Sequence, residues 1–189
     1  MNENLIDIEQ NTVNILKGLI MDIVRNANSG HTGGPFSSLN FTYILYKDFL
    51  KFDPQNPDWI DRDRFVLSCG HESALMYSIL ALIGWVKVSE LKQFRQLHSK
   101  TPGHPERGLT PGVDSTTGPL GQGVGNAVGM AVAEAILRET NGEKITHILV
   151  THTHADHSPA AKPLSKITGA KVMGYGPHGE SGGEEGADL

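Results

Sequence analysis

The sequence holds a single cysteine, Cys69, among its 189 residues. One thiol cannot build an internal disulfide framework, and its scarcity fits a reducing compartment. Basic runs are also missing: 16 Lys+Arg stand against 21 Asp+Glu for a net charge of −5. Nucleic-acid binding needs clustered cations, so that class is excluded as an expectation. Long apolar runs are lacking too, because the stretch Leu120–Leu137 is interrupted by Gln122, Asn126 and Glu134 and cannot span a membrane. The opening MNENLIDIEQ is acidic and amphipathic, unlike a signal peptide. No internal repeat is visible. A soluble cytoplasmic protein, free of nucleic acid and membrane, is the expectation.

What is present is an alternation of periodic segments and glycine-rich loops. Leu5, Ile8, Val13, Leu16, Leu19, Ile20 and Ile23 fall on one face at helical period, predicting an amphipathic helix over 5–24. Gly30, Gly33, Gly34 and Pro35 break it, and a second helix is predicted from about Ser37 to Phe49, capped by Ser37 or Ser38. Phe65-Val66-Leu67-Ser68 reads as a buried strand, followed by a helix over 73–83 and another begun by Ser89 and Glu90. Residues 99–121 form a long Gly/Pro/Thr/Ser-rich loop, a length that is usually functional. A helix over 122–139 carries Gly121, Gly125, Gly129 and Ala133 at four-residue spacing, a stripe suited to close packing. Beyond Asn141-Gly142, strand 145–150, helix 159–168 and strand 171–175 predict a right-handed parallel unit. The Gly-rich acidic tail 178–189 is expected to be disordered.

Three loops set a histidine beside glycine: Ser29-Gly30-His31-Thr32-Gly33-Gly34-Pro35, Ser68-Cys69-Gly70-His71-Glu72 and Thr101-Pro102-Gly103-His104-Pro105-Glu106. A fourth, Thr117-Gly118-Pro119-Leu120-Gly121-Gln122-Gly123, opens a helix whose first backbone N–H groups are free to bind. One such loop alone would be read as solvated or structural. Four in order, separated by helices, point to a shared ligand.

Residues 1 to about 138, three quarters of the chain, resemble the N-terminal thiamine diphosphate-binding region of transketolases. The resemblance is carried by Asp63-Arg64-Phe65-Val66-Leu67-Ser68, Gly70-His71, Leu91-Lys92-Gln93-Phe94-Arg95-Gln96-Leu97 and the last two histidine and glycine loops above. It implies thiamine diphosphate with Mg²⁺ and transfer of a two-carbon ketol unit between sugar phosphates. It places His31, His71 and His104 as catalytic residues that transfer protons and stabilise developing charge. It gives Gly118, Pro119 and Leu120 the aminopyrimidine, through their backbone. Two departures stand out: Thr32 follows His31 where proline is commoner, and the metal-holding Gly-Asp-Gly is missing. The family's pyrimidine-binding domain, source of the activating glutamate, is also missing from the sequence.

A second constellation, His152-Thr153-His154-Ala155-Asp156-His157, directly follows the apolar run Ile145–Val150. His152 and His154 point the same way from an extended segment, and Asp156 and His157 follow at the turn, so four metal ligands converge. Residues 142–180 resemble the metal-motif region of the metallo-β-lactamase superfamily. That resemblance implies zinc, with His152 and His154 in one site and Asp156 and His157 in a second, activating water for hydrolysis.

Together these readings predict an α/β fold: helices flanking a small, mainly parallel sheet built from strands near 65–68, 145–150 and 171–175. The core is a truncated thiamine diphosphate-binding fold, and a C-terminal β-loop-α-β piece carries His-x-His-x-Asp-His. The expected organisation is a transketolase-like region over 1–140, a metal-motif fragment over 141–177 and a tail over 178–189. The functional expectation is a transketolase-like transferase, incomplete or inactive as it stands. The alternatives are a zinc hydrolase fragment or a non-functional chimeric chain joined near 138–143. Exposed interface surface is expected to drive self-association.

Overall fold

The computed structural model describes residues 3–141, 146–150 and 161–174. The chain divides into two compact units, Met1–Gly118 and Pro119–Leu189.

The first unit is helical. Helix α1, Glu3–Ala27, buries Leu16, Ile20 and Ile23 at spacings of four and three, the stripe that the sequence pattern predicts. Val13, Leu19 and Val24 pack at the margin of the same core. Ile8, assigned to that stripe from its period, is instead 60% exposed, because the stripe's contact with the core starts further along the helix.

Helix α2, Gly33–Ile44, begins earlier than the serines suggested: Thr32 is its N-cap, and the Ser37 hydroxyl donates back to the Gly33 carbonyl. Pro35 fits because its missing N–H lies in the first turn, where no intrahelical acceptor exists. The helix passes without interruption into a π-helical turn, Leu45–Phe49, closed by Leu50 N–H donating to the Leu45 carbonyl at 2.9 Å. The wider turn sets Tyr46 into an aromatic cluster, edge-on to Phe52 and Phe65, with Phe52 in turn edge-on to Trp85.

A 3₁₀ turn, Gly70–Glu72, leads into α3, Ser73–Leu82. Every residue from Ser73 to Leu80 is buried, so α3 is the central helix, with α1 and α2 packed against it and against each other. The helix expected from Ser89 is one turn only, α4, Val88–Leu91.

The strand expected at 65–68 does not form among the described residues. The physical reason lies in where its backbone donors go. Phe65 N–H donates to the Asp114 carboxylate at 3.1 Å, and Asp63 N–H reaches the Lys51 carbonyl at 2.8 Å. Asp114 also takes a two-pronged ion pair from Arg62, at 2.9 and 2.7 Å, with both side chains under a tenth exposed. A carboxylate thus replaces the ladder partner.

In the second unit, α5 spans Gln122–Asn141, and β1, His147–Val150, pairs in parallel with β2, Lys171–Gly174. The register runs from His147 opposite Lys171 to Val150 opposite Gly174. Helix α6, Ala161–Thr168, bridges the two strands and buries Ala161, Leu164 and Thr168. Gly169 ends it at φ +71°, the left-handed conformation that suits glycine after a helix. The parallel strand–helix–strand reading therefore holds. The glycine stripe of α5 does not receive a close backbone: among the described residues, nothing lies within 4 Å of a Cβ built at Gly125 or Gly129. No described helix is long and apolar enough to cross a membrane. The tail over 178–189 lies outside the described residues.

Candidate functional site

Three loops of the first unit bring their histidines to one place. His31 stands in the loop between α1 and α2, exposed, and His71 in the 3₁₀ turn ahead of α3, half-buried. Their rings meet edge-on, with centroids 5.0 Å apart. His104 belongs to the long loop over 99–121 and comes close enough for both other imidazoles to act on its titration.

Close backbone approach holds the loops together. A Cβ at Gly70 would sit 2.8 Å from the Gly118 nitrogen and 2.8 Å from Thr117 Oγ1, so glycine is required there by space. A Cβ at Gly118 would lie 3.5 Å from the His104 ring, in ordinary contact. Thr117 N–H donates to the Pro105 carbonyl, and Ser73 Oγ donates to the Gly103 carbonyl at 2.7 Å, tying the His104 loop to the head of α3. Gly30, at φ +133°, packs against Phe94 and Val24 where an L side chain would clash.

Beside His104 lies a cleft of about 760 Å³, lined by Ser29, Arg95, His98, Gly103, His104 and Glu106 among others. That volume suits a small-molecule ligand. Arg95 donates to Ser29 Oγ at 2.8 Å, while its Nε is buried with no hydrogen-bond partner, 3.2 Å from where a Cβ on Gly103 would stand. Thr117 Oγ1 is likewise buried without a partner. Arg95 escaped the sequence reading as a site residue. It is one of four cations between the His71 and His104 loops, with Lys87, Lys92 and Lys100, and nothing in the run Phe94-Arg95-Gln96 sets it apart from them as a ligand contact.

His104 is held below the usual imidazole range, first by partial burial of its ring, then by the charge of Arg95 and by His71 and His31. The folded state therefore binds this proton less tightly than the unfolded chain. Stability should rise with pH as it climbs from the lowered value through 6.5, and the penalty is fully present only below that window. Urea midpoints measured at stepped pH should show that slope in the native protein, and His104→Gln should flatten it.

Of the remaining candidates, Gly118 ends the first unit, while Pro119 and Leu120 begin the second and are exposed. The Pro119 carbonyl accepts from Gln122 N–H at the head of α5. His152, His154, Asp156 and His157 lie outside the described residues.

Comparison with known proteins gives the family. Residues 8–158 match the family model described as transketolase, thiamine diphosphate binding domain. Transketolase 1 of Escherichia coli K12 is 60% identical over 125 residues, covering 66% of this chain and 19% of that protein. Transketolase from Leishmania mexicana superposes with a TM-score of 0.69 at 46% identity, over 74% of this chain and 22% of that one. Pichia stipitis transketolase in complex with sedoheptulose-7-phosphate gives 0.70 at 43% identity, over 75% and 22%. The chain spans about a fifth of the length of these relatives. The family match runs past the junction expected near 138–143 and over His152–His157, and nothing in these relatives supports the metallo-β-lactamase resemblance or its zinc.

Proposed function

The chain belongs to the transketolase family, through its thiamine diphosphate-binding domain, and on that premise we propose that it forms one wall of a thiamine diphosphate site. The reaction served is movement of a two-carbon ketol unit between sugar phosphates. The observation that carries this reading is the convergence of His31, His71 and His104 beside the Gly70–Gly118 backbone contact.

The residues present fit the ring end of such a cofactor. Gly118 carries no side chain beside the His104 ring, and Thr117 Oγ1 is a buried hydroxyl still able to bond a polar ligand. When bound, thiamine diphosphate supplies the electron sink for breaking and making a carbon–carbon bond. The chain's own work is different. His31, His71 and His104 hold or move protons at their ring nitrogens and stabilise charge developing on sugar oxygens. The lowered proton affinity of His104 favours its neutral imidazole, the form able to accept a proton. Arg95, whose cationic side chain lines the cleft, favours an anionic substrate such as a sugar phosphate. Gly118, Pro119 and Leu120 present backbone to the aminopyrimidine. Mg²⁺ and the diphosphate belong to the same reading, although the sequence has no Gly-Asp-Gly to receive the metal. Self-association through exposed apolar side chains such as Ile60 and Leu97 accompanies it.

Titrating the chain with thiamine diphosphate and Mg²⁺, followed through the imidazole ring proton resonances, tests the proposal. The signals of His31, His71 and His104 should shift, and those of His147 should not. Unmoved signals at millimolar ligand would end it.

A further inference from the structure

A separate chemistry is written into the turn that carries His71. Cys69, His71 and Glu72 each offer one ligand atom, and these sulfur, nitrogen and oxygen atoms all lie within 4.8 Å of one another. The local fold brings this about. Glu72 N–H donates to the Cys69 carbonyl at 2.7 Å, closing a 3₁₀ turn in which residues three apart eclipse, so the thiol and carboxylate stand one above the other. His71 projects from the same turn. Cys69 and Glu72 are buried and His71 is half-buried, which leaves the imidazole side as the route of entry. Glu72 is fixed on its other flank, since its carboxyl group occupies the space where Gly34 would carry a Cβ, at the start of α2.

We propose that Cys69, His71 and Glu72 form a binding site for a divalent transition metal of zinc type, distinct from any metal that accompanies the diphosphate. The donor set of one thiolate, one imidazole and one carboxylate is borderline-soft, which selects zinc or cobalt over magnesium. Zinc–ligand bonds of about 2.0–2.3 Å put neighbouring ligands roughly 3.5 Å apart, so the trio closes on an ion by side-chain movement of about an ångström. The thiol proton leaves to solvent as the sulfur binds. Three protein ligands leave one tetrahedral position for water. The site does not depend on the cofactor reading, because none of its ligands needs thiamine diphosphate to be in place.

The protein contains a single cysteine, which makes the test specific. Cobalt(II) added to the full chain should produce a near-ultraviolet sulfur-to-cobalt charge-transfer band, together with the visible bands of tetrahedral cobalt, and zinc should bleach both. The histidine-rich segment 152–157 has no sulfur and cannot give that band. Cys69→Ser should abolish the band. Glu72→Gln should weaken cobalt binding by at least about tenfold, a loss that even an outer-shell partner causes. Should either variant fail to fold, the native thiol decides: zinc should slow its alkylation by iodoacetamide, and magnesium should not. A native chain that shows no charge-transfer band at millimolar cobalt would overturn the proposal, as would alkylation indifferent to zinc.

Discussion

Asp114→Ala should lower the stability of the first unit by about 3–5 kcal/mol, the cost of breaking a buried ion pair from one side. Asp114 accepts from Arg62 at two atoms and from Phe65 N–H, so its loss strands a buried guanidinium and a backbone donor together. Arg62 has some further support: Nε donates to the Pro57 carbonyl at 2.6 Å, and the guanidinium stands 5.4 Å from the Trp85 ring centre. Neither contact neutralises its charge. The thermal midpoint should fall by roughly 10 °C or more. Both tryptophans, Trp59 and Trp85, lie in the first unit, so fluorescence reports on this unit alone. The double change Arg62→Met with Asp114→Leu should cost clearly less than Asp114→Ala, because no charge is left buried. Equal losses in the two would show that Asp114 acts through its shape or through Phe65 rather than through the pair.

The second large effect is expected at Gly70. An alanine there places Cβ under 3.0 Å from the Gly118 nitrogen, Thr117 Oγ1 and the Thr117 carbonyl carbon. Two of these are backbone atoms that no rotamer change can move, so the loop carrying Thr117 and Gly118 must shift. Overpacking of this kind costs about 1–3 kcal/mol. Gly118→Ala is the control for stability, because its Cβ meets the His104 ring at 3.5 Å, in ordinary contact, and should cost little. Gly70→Ala should also change the His104 titration and abolish the imidazole shifts caused by thiamine diphosphate. Melting curves and the imidazole resonances read both. A Gly70→Ala protein as stable as the native one, with an unchanged His104, would show that the loops do not depend on this contact.

The long helices could be read from the sequence because their evidence is local. The period of Leu16, Ile20 and Ile23 marks the face of α1 that the core receives, and the apolar run after Ser73 marks the buried α3. The stretch 65–68 misled for the opposite reason. Its apolar residues are compatible with a strand, but its acceptor is a carboxylate 49 residues away, and no local pattern encodes that. The π turn after α2 was equally hidden, since a 3.6-residue template runs through Leu45–Phe49 without a visible break. The site was half legible. Glycine beside histidine announced His31, His71 and His104 one loop at a time, and only the fold shows the edge-on meeting of His31 and His71. Arg95 stands in the run Leu91–Leu97 that helps to carry the family resemblance, but its place at the site became visible only through the cleft that it lines. The Cys69 trio was in plain view, yet the lone cysteine was read for compartment and not for coordination.

Arg95 and His98 hold left-handed backbone, at φ +61° and +63°, with side chains that disfavour it. Each costs of order 1 kcal/mol relative to glycine in the same place. Arg95 N–H donates to the Thr101 carbonyl at 2.9 Å, and that bond helps to hold the bend against its own preference. These two positions are therefore a reserve of untaken stability: glycine at 98 would relax the chain, and glycine at 95 would do so only by emptying the cleft of its cation. An engineer raising the melting point of this unit would find the cheapest gains at the mouth of the site, and position 95 is where such a gain would remove part of what the site recognises.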